Sequence, residues 1–369
     1  MDGGIHMQKR YRVLTINPKS TTTIISVFHD EMCMYKLSIQ HDDVYGNEIA
    51  TEVKNRKQKI LSHLTDAGIN ISKLNAVAAV GGLLRPVKGG TYIVTDDVLS
   101  DLKIRYNGEH ASNLGGIIAY EIAIGLNIPA YIVDPPVVDE LSSIAKYSGL
   151  PGYERKSIFH ALNQKSVARQ VAYELDQAYE QVNLIVAHLG NGITIGAHNH
   201  GKVVDVNNGL HGDGPFSFER TGTIPSESLI DLCFSEKYSK EEVIHMITTQ
   251  GGLKAYLQTN TIEATYQKLN SEDDYAQTIC EAFVFQIAKE IGSMGAVLSG
   301  DVDGIVLTGQ LASSSKLTNQ ITERINWIAD VFIYPGEYDL QALNAGTLRV
   351  LRGEEKPKIY RRKLDEEVI

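Results

Sequence analysis

A three-stranded pattern that occurs twice constrains the fold of this chain more than any other feature of its sequence. Each copy reads strand, polar turn, strand and strand, the first over residues 12–39 and the second over residues 183–206. Short apolar and β-branched runs separated by turns are typical of antiparallel meanders. The six strands are Arg12 to Ile16, Ile24 to Phe28, Met34 to Ile39, Asn183 to His188, Ile193 to His198 and Lys202 to Val206. The repeat predicts two domains of one topology.

Four further apolar runs bounded by turn residues predict buried parallel strands, and helical patterns alternate with them. The strands are Ala76 to Val80, Ala130 to Val133, Gly304 to Thr308 and Val331 to Tyr334. The helices include Gly46 to Ala67, Leu114 to Leu126, Val243 to Thr248 and Tyr275 to Leu298. The predicted class is α/β, with duplicated ribonuclease-H-like domains whose mixed sheets are flanked by helices.

The length of 369 residues exceeds what one hydrophobic core normally serves, so two domains are expected. We place the first domain at residues 8–180 and the second at residues 181–369, because the second meander starts near residue 183. A C-terminal helix is expected to pack back on the first domain.

The formal charge of -10, with acidic and basic residues mixed along the chain, argues against nucleic-acid and anionic-membrane partners. Small-molecule chemistry agrees better with this composition. The three cysteines, Cys33, Cys233 and Cys280, are far apart and have no metal-binding spacing, which favours a reducing compartment. The stretch Met1 to Met7 lacks a basic segment followed by an apolar run, so we expect a cytoplasmic protein.

Two hairpin bends carry groups suited to phosphate. In the first bend Asn17 precedes several hydroxyl side chains, among them Ser20 and Thr22. Such turns grip phosphate oxygens through hydroxyls and backbone amides, although a polar β-turn without a ligand explains the same residues. The second bend is His188-Leu189-Gly190-Asn191-Gly192, whose glycines permit close backbone approach to a ligand. Its alternative is a structural turn beside a hydrogen-bonded histidine.

A third glycine turn, Gly309-Gln310, follows the predicted strand Gly304 to Thr308 and precedes a helix through Leu317 and Ile321. A strand, a glycine and a helix in this order are typical of nucleotide-binding crossings, and also of many α/β folds without a ligand.

Three charged or titratable residues complete the candidate chemistry: Asp134 directly after a strand, His160 and Arg220. Phosphoryl transfer requires cations and hydrogen-bond donors, because the migrating group spreads negative charge. The structural alternatives are a strand-end cap for Asp134, a buried helical histidine for His160 and a surface salt bridge for Arg220.

Longer motifs carry a family resemblance that runs from about Tyr11 to Tyr360. The motifs are Gly108 to Gly115 (GEHASNLG), Arg155 to Lys165 (RKSIFHALNQK), Asp205 to Asn208 (DVNN) and Arg349 to Glu355 (RVLRGEE). In these motifs the chain resembles the butyrate kinases, within the acetate kinase group of the acetate and sugar kinase, Hsp70 and actin superfamily. The fold implied is the duplicated actin-like ATPase fold.

The resemblance implies reversible transfer of a phosphoryl group between ATP and a short-chain carboxylate, butyrate or a branched acid, with Mg²⁺ bridging the nucleotide phosphates. It implies that Asn17 helps to place the metal, that His160 stabilises the transferring phosphoryl group and that Arg220 binds it. Asp134 matches an aspartate near the carboxylate. Asp339 matches an acidic residue on the metal side, for which Glu337 is the competing match. The family also implies a homo-oligomer.

The same resemblance implies that the first bend, the segment His188 to Gly192 and the turn at Gly309-Gln310 hold the nucleotide. We expect the bends at Asn17 and Asn191 to grip one triphosphate from opposite walls of a cleft.

Five positions depart from the family pattern, one of them Thr22 in place of a serine. The first bend has Lys19 where the family has glycine and Ile24 where it has lysine, Val80 replaces an arginine, and Gln310 replaces the second glycine of the adenosine turn. Arg85 is the nearest remaining arginine. These changes leave an alternative function open, that of a catalytically impaired paralogue that binds nucleotide or acyl phosphate as a sensor or partner.

Overall fold

The computed structural model describes residues 10–41 and 48–362. They form two compact units, one made of the described residues up to 137 together with those from 338 onward, the other of residues 138–337. Residues 1–9, on which the expected lack of a leader rests, and Gly46, the first residue of a predicted helix, lie outside the described residues. No helix in the described ranges has the length and apolar character needed to cross a membrane.

Unit 1 contains a seven-stranded sheet in the order β12-β5-β6-β4-β1-β2-β3. Its strands are β1 (Arg12–Pro18), β2 (Thr22–His29), β3 (Met32–Gln40), β4 (Ala76–Val80), β5 (Thr91–Ile93), β6 (Ala130–Val133) and β12 (Lys358–Ile359). The pairs β1 with β2 and β2 with β3 are antiparallel, whereas β1 with β4 and β4 with β6 are parallel. The α-helices among the described residues of this unit are α1 (Ile49–Asp66), α2 (Asp96–Lys103), α3 (Asn113–Leu126) and α11 (Asp339–Leu351).

Unit 2 contains a five-stranded sheet in the order β11-β10-β7-β8-β9. Its strands are β7 (Asn183–Leu189), β8 (Ile193–Asn199), β9 (Lys202–Val206), β10 (Gly304–Gly309) and β11 (Val331–Pro335). Its helices are α4 (Ala161–Glu174), α5 (Ser226–Cys233), α6 (Lys240–Thr249), α7 (Gly252–Leu257), α8 (Ile262–Leu269), α9 (Asp274–Val297) and α10 (Ser315–Ile325).

The two sheets repeat one topology, because in each an antiparallel meander is continued by parallel strands on the side of its first strand. All seven residues of β7 are buried, which explains its apolar run from Leu184 to Ala187. The predicted duplication of the meander is therefore confirmed. One expectation is wrong: β11 is an edge strand rather than a buried one, and Ile333 within it is 43% exposed.

Packing of helices on the sheets sets the extent of each unit. Helix α4 contacts β7 and β10, so residues 138–180 are part of compact unit 2. Helix α11 contacts β1, β4 and β6 of unit 1. The compact units thus divide between residues 137 and 138 and again between residues 337 and 338. The division at 180 and 181, drawn at the start of the second meander, stays a prediction about duplication.

Candidate functional site

The glycine bend of unit 2 joins β7 to β8 at a three-residue loop, Gly190 to Gly192. Leu189 pairs with Ile193 to close the loop, and His188 pairs with Thr194 one step further in. His188 is only 3% exposed, at the penultimate position of β7. The predicted bend is thus a tight hairpin that fixes an imidazole at the end of a fully buried strand.

The rings of His160 and His188 stack on each other, with centroids 3.8 Å apart and planes inclined by 13°. His160 lies at the first turn of α4, where its Nδ1 lies 2.9 Å from Thr194 Oγ1. The Nδ1 atom of His188 lies 2.9 Å from Asn163 Oδ1. Two sequence-predicted site residues, 28 positions apart in the printed sequence, therefore share one ring contact. The stack thus places two imidazoles in direct contact at the end of β7.

Arg220 packs its guanidinium against the glycine bend. Its Nη1 donates to the carbonyl oxygen of Gly209, and a Cβ on Gly192 would overlap the guanidinium. Ser217 links the two segments, since its hydroxyl donates to Asn191 O and accepts from the Arg220 amide at 3.1 Å. Glycine at position 192 thus makes room for the cation that the sequence predicts to bind phosphoryl groups.

The environment of Arg220 is partly desolvated. Burial lowers the pKa of its guanidinium from the ordinary value, and the neighbouring Glu219 carboxylate opposes that shift. The Nε atom of Arg220 is buried and has no hydrogen-bond partner among the described residues. An arginine remains charged under all ordinary conditions, so this corner of unit 2 favours an anionic ligand.

The third glycine turn lies beside the same bend. Gly309 has φ +89°, and a Cβ there would overlap the backbone of Leu189, so glycine is required by both conformation and space. Thr308 pairs with His188 in the parallel register of β10 and β7. The Gln310 carbonyl accepts from Tyr266 Oη at 2.8 Å. Strand pairing therefore brings the predicted adenosine turn to the end of β7.

In unit 1 the two predicted metal-side residues are in contact. Asn17 Nδ2 donates to Asp339 Oδ2 at 2.8 Å, across a separation of 322 residues in the sequence. Lys19 Nζ lies 3.8 Å from the same carboxylate oxygen. The competing residue, Glu337, lies two positions before α11 and is exposed. Ile24 is the cross-strand partner of Asn17.

A buried arginine that sequence reasoning missed holds the first bend. Arg56 Nη1 donates to Lys19 O at 2.9 Å, to Thr22 O at 3.1 Å and to Thr23 Oγ1 at 3.1 Å. Its Nη2 donates to Ser20 O at 2.9 Å. Lys19 itself has no positive φ, so the lysine causes no backbone strain where the family has glycine. A signal was available, because Arg56 lies on the apolar face of α1.

Asp134 follows β6 with φ +38° and is 3% exposed. Its Oδ1 accepts from the Gly90 amide at 2.6 Å, and its own amide donates to Gly90 O at 3.0 Å. Aspartate tolerates positive φ better than most residues. The carboxylate thus fixes the loop after the strand, and its predicted place near the acid substrate stays a prediction.

Arg85, the arginine nearest in sequence to the altered position 80, forms an ion pair with Asp101. Arg85 Nε donates to Asp101 Oδ2 at 3.0 Å, and its guanidinium carbon lies 3.8 Å from the centre of the Tyr106 ring. Asp101 is fully buried and Val80 is 8% exposed. Arg85 therefore serves a buried ion pair in unit 1.

The chemistry of Asn17 and Asp339 suits Mg²⁺. Amide and carboxylate oxygens are the hard ligands this ion prefers, and it is commonly held by one or two carboxylates together with phosphates and water. Among the described residues no three His, Cys, Asp or Glu side chains form a metal-binding group. The oxygens of this pair suit a Mg²⁺ ion, and the Lys19 ammonium lies 3.8 Å from Asp339 Oδ2.

Comparisons with known proteins place the chain in a family. The Acetokinase family matches residues 147–332, just over half of the chain. An acetate kinase from Porphyromonas gingivalis superposes with a TM-score of 0.73 at 16% identity, covering 92% of this chain and 100% of that one. A propionate kinase from Francisella tularensis gives 0.72 at 18% identity, covering 90% and 98%.

An acetate kinase from Entamoeba histolytica gives a TM-score of 0.72 at 16% identity, covering 91% of this chain and 99% of that one. These likenesses confirm the predicted fold class, two duplicated actin-like domains with mixed sheets flanked by helices. The narrower resemblance to butyrate kinases stays a prediction. The chain belongs to the acetokinase family.

Proposed function

We propose that this protein is an ATP-dependent carboxylate kinase that transfers the γ-phosphoryl group of ATP reversibly to butyrate or a branched short-chain acid. The observation that carries the proposal is the convergence of His160, His188, Gly192 and Arg220 at the end of β7. A stacked imidazole pair beside a desolvated guanidinium supplies the donors and the positive charge that phosphoryl transfer requires. A cytoplasmic location and a homo-oligomeric assembly are part of the proposal.

The nucleotide is assigned to the glycine turns. The amides of Gly190, Asn191 and Gly192 lie in a bend without bulky side chains, which permits close contact with phosphate oxygens. The turn at Gly309 and Gln310 is assigned to the adenosine. Ser20 and Thr22 of the first bend add hydroxyl donors.

The transfer step follows from these assignments. A carboxylate oxygen of the acid attacks the γ-phosphorus, a phosphorus–oxygen bond forms, and the bond to the oxygen bridging the β- and γ-phosphorus breaks to release ADP. Arg220 offsets the charge on the equatorial oxygens, and His160 donates a hydrogen bond to one of them. Asp134 is assigned to the neighbourhood of the acid.

Asn17 and Asp339 would hold the magnesium ion. When bound, this ion neutralises charge on the nucleotide phosphates. Within unit 1 the Asn17 amide nitrogen donates to Asp339 Oδ2 at 2.8 Å, so the two side chains are held together before nucleotide arrives.

The test is an acyl-phosphate trap. Purified protein is incubated with ATP, Mg²⁺ and a panel of linear and branched acids of two to six carbons, and hydroxylamine converts any acyl phosphate to a hydroxamate. We expect the largest yield with four- and five-carbon acids. Absence of hydroxamate with every acid would contradict the proposal.

Matched arginine variants show whether the assigned corner performs the transfer. Arg220→Ala is expected to lower kcat by about 10³- to 10⁵-fold, as for other arginines that contact a transferring phosphoryl group. Arg324→Ala removes an exposed guanidinium from α10 of the same unit and is expected to leave kcat unchanged. If the two substitutions changed kcat equally, Arg220 would not contact the transferring phosphoryl group.

A second candidate function is a paralogue that binds nucleotide or acyl phosphate without turnover. It is favoured by the buried Val80 and by the commitment of Arg85 to Asp101, which leave that part of unit 1 without the arginine typical of the family. Isothermal titration calorimetry distinguishes the candidates, because this paralogue binds ATP while the hydroxamate assay stays negative.

A further inference from the structure

A line of buried polar side chains in unit 2 ends at His160. Tyr179 Oη lies 2.8 Å from His198 Nδ1, and His198 Nε2 lies 3.0 Å from Gln164 Oε1. Gln164 Nε2 lies 2.8 Å from Thr194 Oγ1, which lies 2.9 Å from His160 Nδ1. The side chains of His198, Gln164 and Thr194 are fully buried, so each hydrogen bond in the line must be satisfied internally.

The direction of the line is set by one carbonyl. Gln164 Nε2 lies 2.9 Å from Thr194 O, and because a carbonyl only accepts, the amide nitrogen must be the atom that faces it. The amide oxygen then faces His198, which must donate from Nε2. A Cβ on Gly196 would lie 2.7 Å from that oxygen, so the glycine in the middle of β8 makes room for this orientation.

His198 is held neutral. Burial and the charges of Lys165 and Arg169 keep its pKa well below the ordinary value. With its proton on Nε2, its Nδ1 is an acceptor, and the Tyr179 hydroxyl donates to it. Every group in the line therefore donates toward His160.

The Thr194 hydroxyl is the last group in the line before His160. Its oxygen accepts from Gln164 Nε2 at 2.8 Å and from the His160 backbone amide at 3.4 Å. Both acceptor positions of a hydroxyl are then occupied, and its single proton is left for His160 Nδ1 at 2.9 Å. An Nδ1 atom that accepts has no proton, so the neutral His160 ring carries its proton on Nε2.

We infer that this hydrogen-bonded line fixes His160 as the Nε2–H tautomer and that Thr194, Gln164 and His198 are positioning residues for phosphoryl transfer. The tautomer follows from the contacts alone, whereas the catalytic part rests on the proposed function. In the other tautomer Nε2 would be a lone-pair acceptor, which repels a phosphoryl oxygen instead of donating to it.

The tautomer is measured directly by two-bond ¹⁵N–¹H correlation spectra of protein labelled in histidine. The spectra are recorded without ligands near pH 8, above the ordinary imidazole pKa of about 6.5. His160→Gln assigns the resonance. We expect the pattern of a protonated Nε2 and an unprotonated Nδ1. An Nδ1–H pattern in the unmodified protein would overturn the inference without any further variant.

Thr194→Val and Thr194→Ser show whether the Thr194 hydroxyl positions His160 or the side chain only fills space. Valine removes the donor at nearly equal volume, and we expect a mixed-tautomer spectrum with kcat lowered roughly 10- to 100-fold and KM little changed. Serine keeps the hydroxyl and should retain both the spectrum and kcat. An unchanged spectrum in Thr194→Val overturns the inference. The expected spectra together with no hydroxamate from any acid would uphold the tautomer and reject the kinase function.

Discussion

At the scale of single residues, Lys19 is the substitution with the clearest chemical consequence. Its ammonium lies 3.8 Å from the Asp339 oxygen that also accepts from Asn17, and its side chain is 41% exposed. A magnesium ion would need the same oxygen. With the proposed metal at Asp339, the lysine would compete for this oxygen, and solvent would weaken that competition without removing it.

We expect Lys19→Gln to tighten binding of Mn²⁺, a paramagnetic substitute for Mg²⁺, by about fivefold. This factor corresponds to an interaction energy of ~1 kcal/mol between two charges about 4 Å apart in water. Titration followed by electron paramagnetic resonance measures it, with Lys19→Arg as the control that keeps the charge. Equal Mn²⁺ affinity in the original protein and in Lys19→Gln would show that the ammonium does not compete.

At the scale of secondary-structure elements, helix α1 determines the shape of the first bend. Arg56 lies in the buried stripe of this helix and donates to the bend at four positions. It also lies 3.9 Å from the Glu52 carboxylate, and both side chains are at most 3% exposed. The bend thus depends on a helix that starts some 30 residues later in the printed sequence.

Arg56→Leu is expected to lower the free energy of unfolding by about 3 to 5 kcal/mol, because it leaves several carbonyls and a buried carboxylate without their cation. Urea denaturation measures this difference. Lys54→Leu replaces an exposed cation on the same helix and should change the value by less than about 0.5 kcal/mol. Similar stability of the two variants would mean that the bend keeps its shape without Arg56.

The sequence predicts elements well where burial dictates composition. The strands β4 and β6 match their predicted bounds, because each is a short apolar run ended by turn residues. The strands β5 and β12 have three and two residues, too few to show any periodicity. The stack of His160 on His188 escapes prediction for another reason, since it depends on how α4 packs on β7.

At the scale of the whole molecule, duplication supplies two equivalent positions with different chemistry. Asn17 and His188 are each the penultimate residue of the first strand of a meander. Their cross-strand partners are Ile24 and Thr194. One copy has an apolar side chain where the other has the hydroxyl that lies 2.9 Å from His160 Nδ1. Under the proposed function, the two copies use this equivalent position differently, one on the metal side and the other on the phosphoryl side.

The chain returns to unit 1 through α11, and this connection allows a test of whether the two units unfold independently. Leu343 is fully buried in this helix, which contacts β1, β4 and β6. Leu343→Ala should destabilise unit 1 by about 2 to 5 kcal/mol, the usual cost of truncating a buried leucine. Native-state hydrogen exchange should then show faster exchange in these three strands, while β7, β8 and β10 keep their protection because they belong to the other compact unit.

Gln341→Ala, at an exposed position of the same helix, is the matched control and should leave exchange unchanged in both sheets. If Leu343→Ala accelerated exchange equally in the strands of both units, they would unfold as one cooperative body. Faster exchange confined to unit 1 would instead show that each copy of the meander fold has its own stability, as expected when each sheet buries its own core.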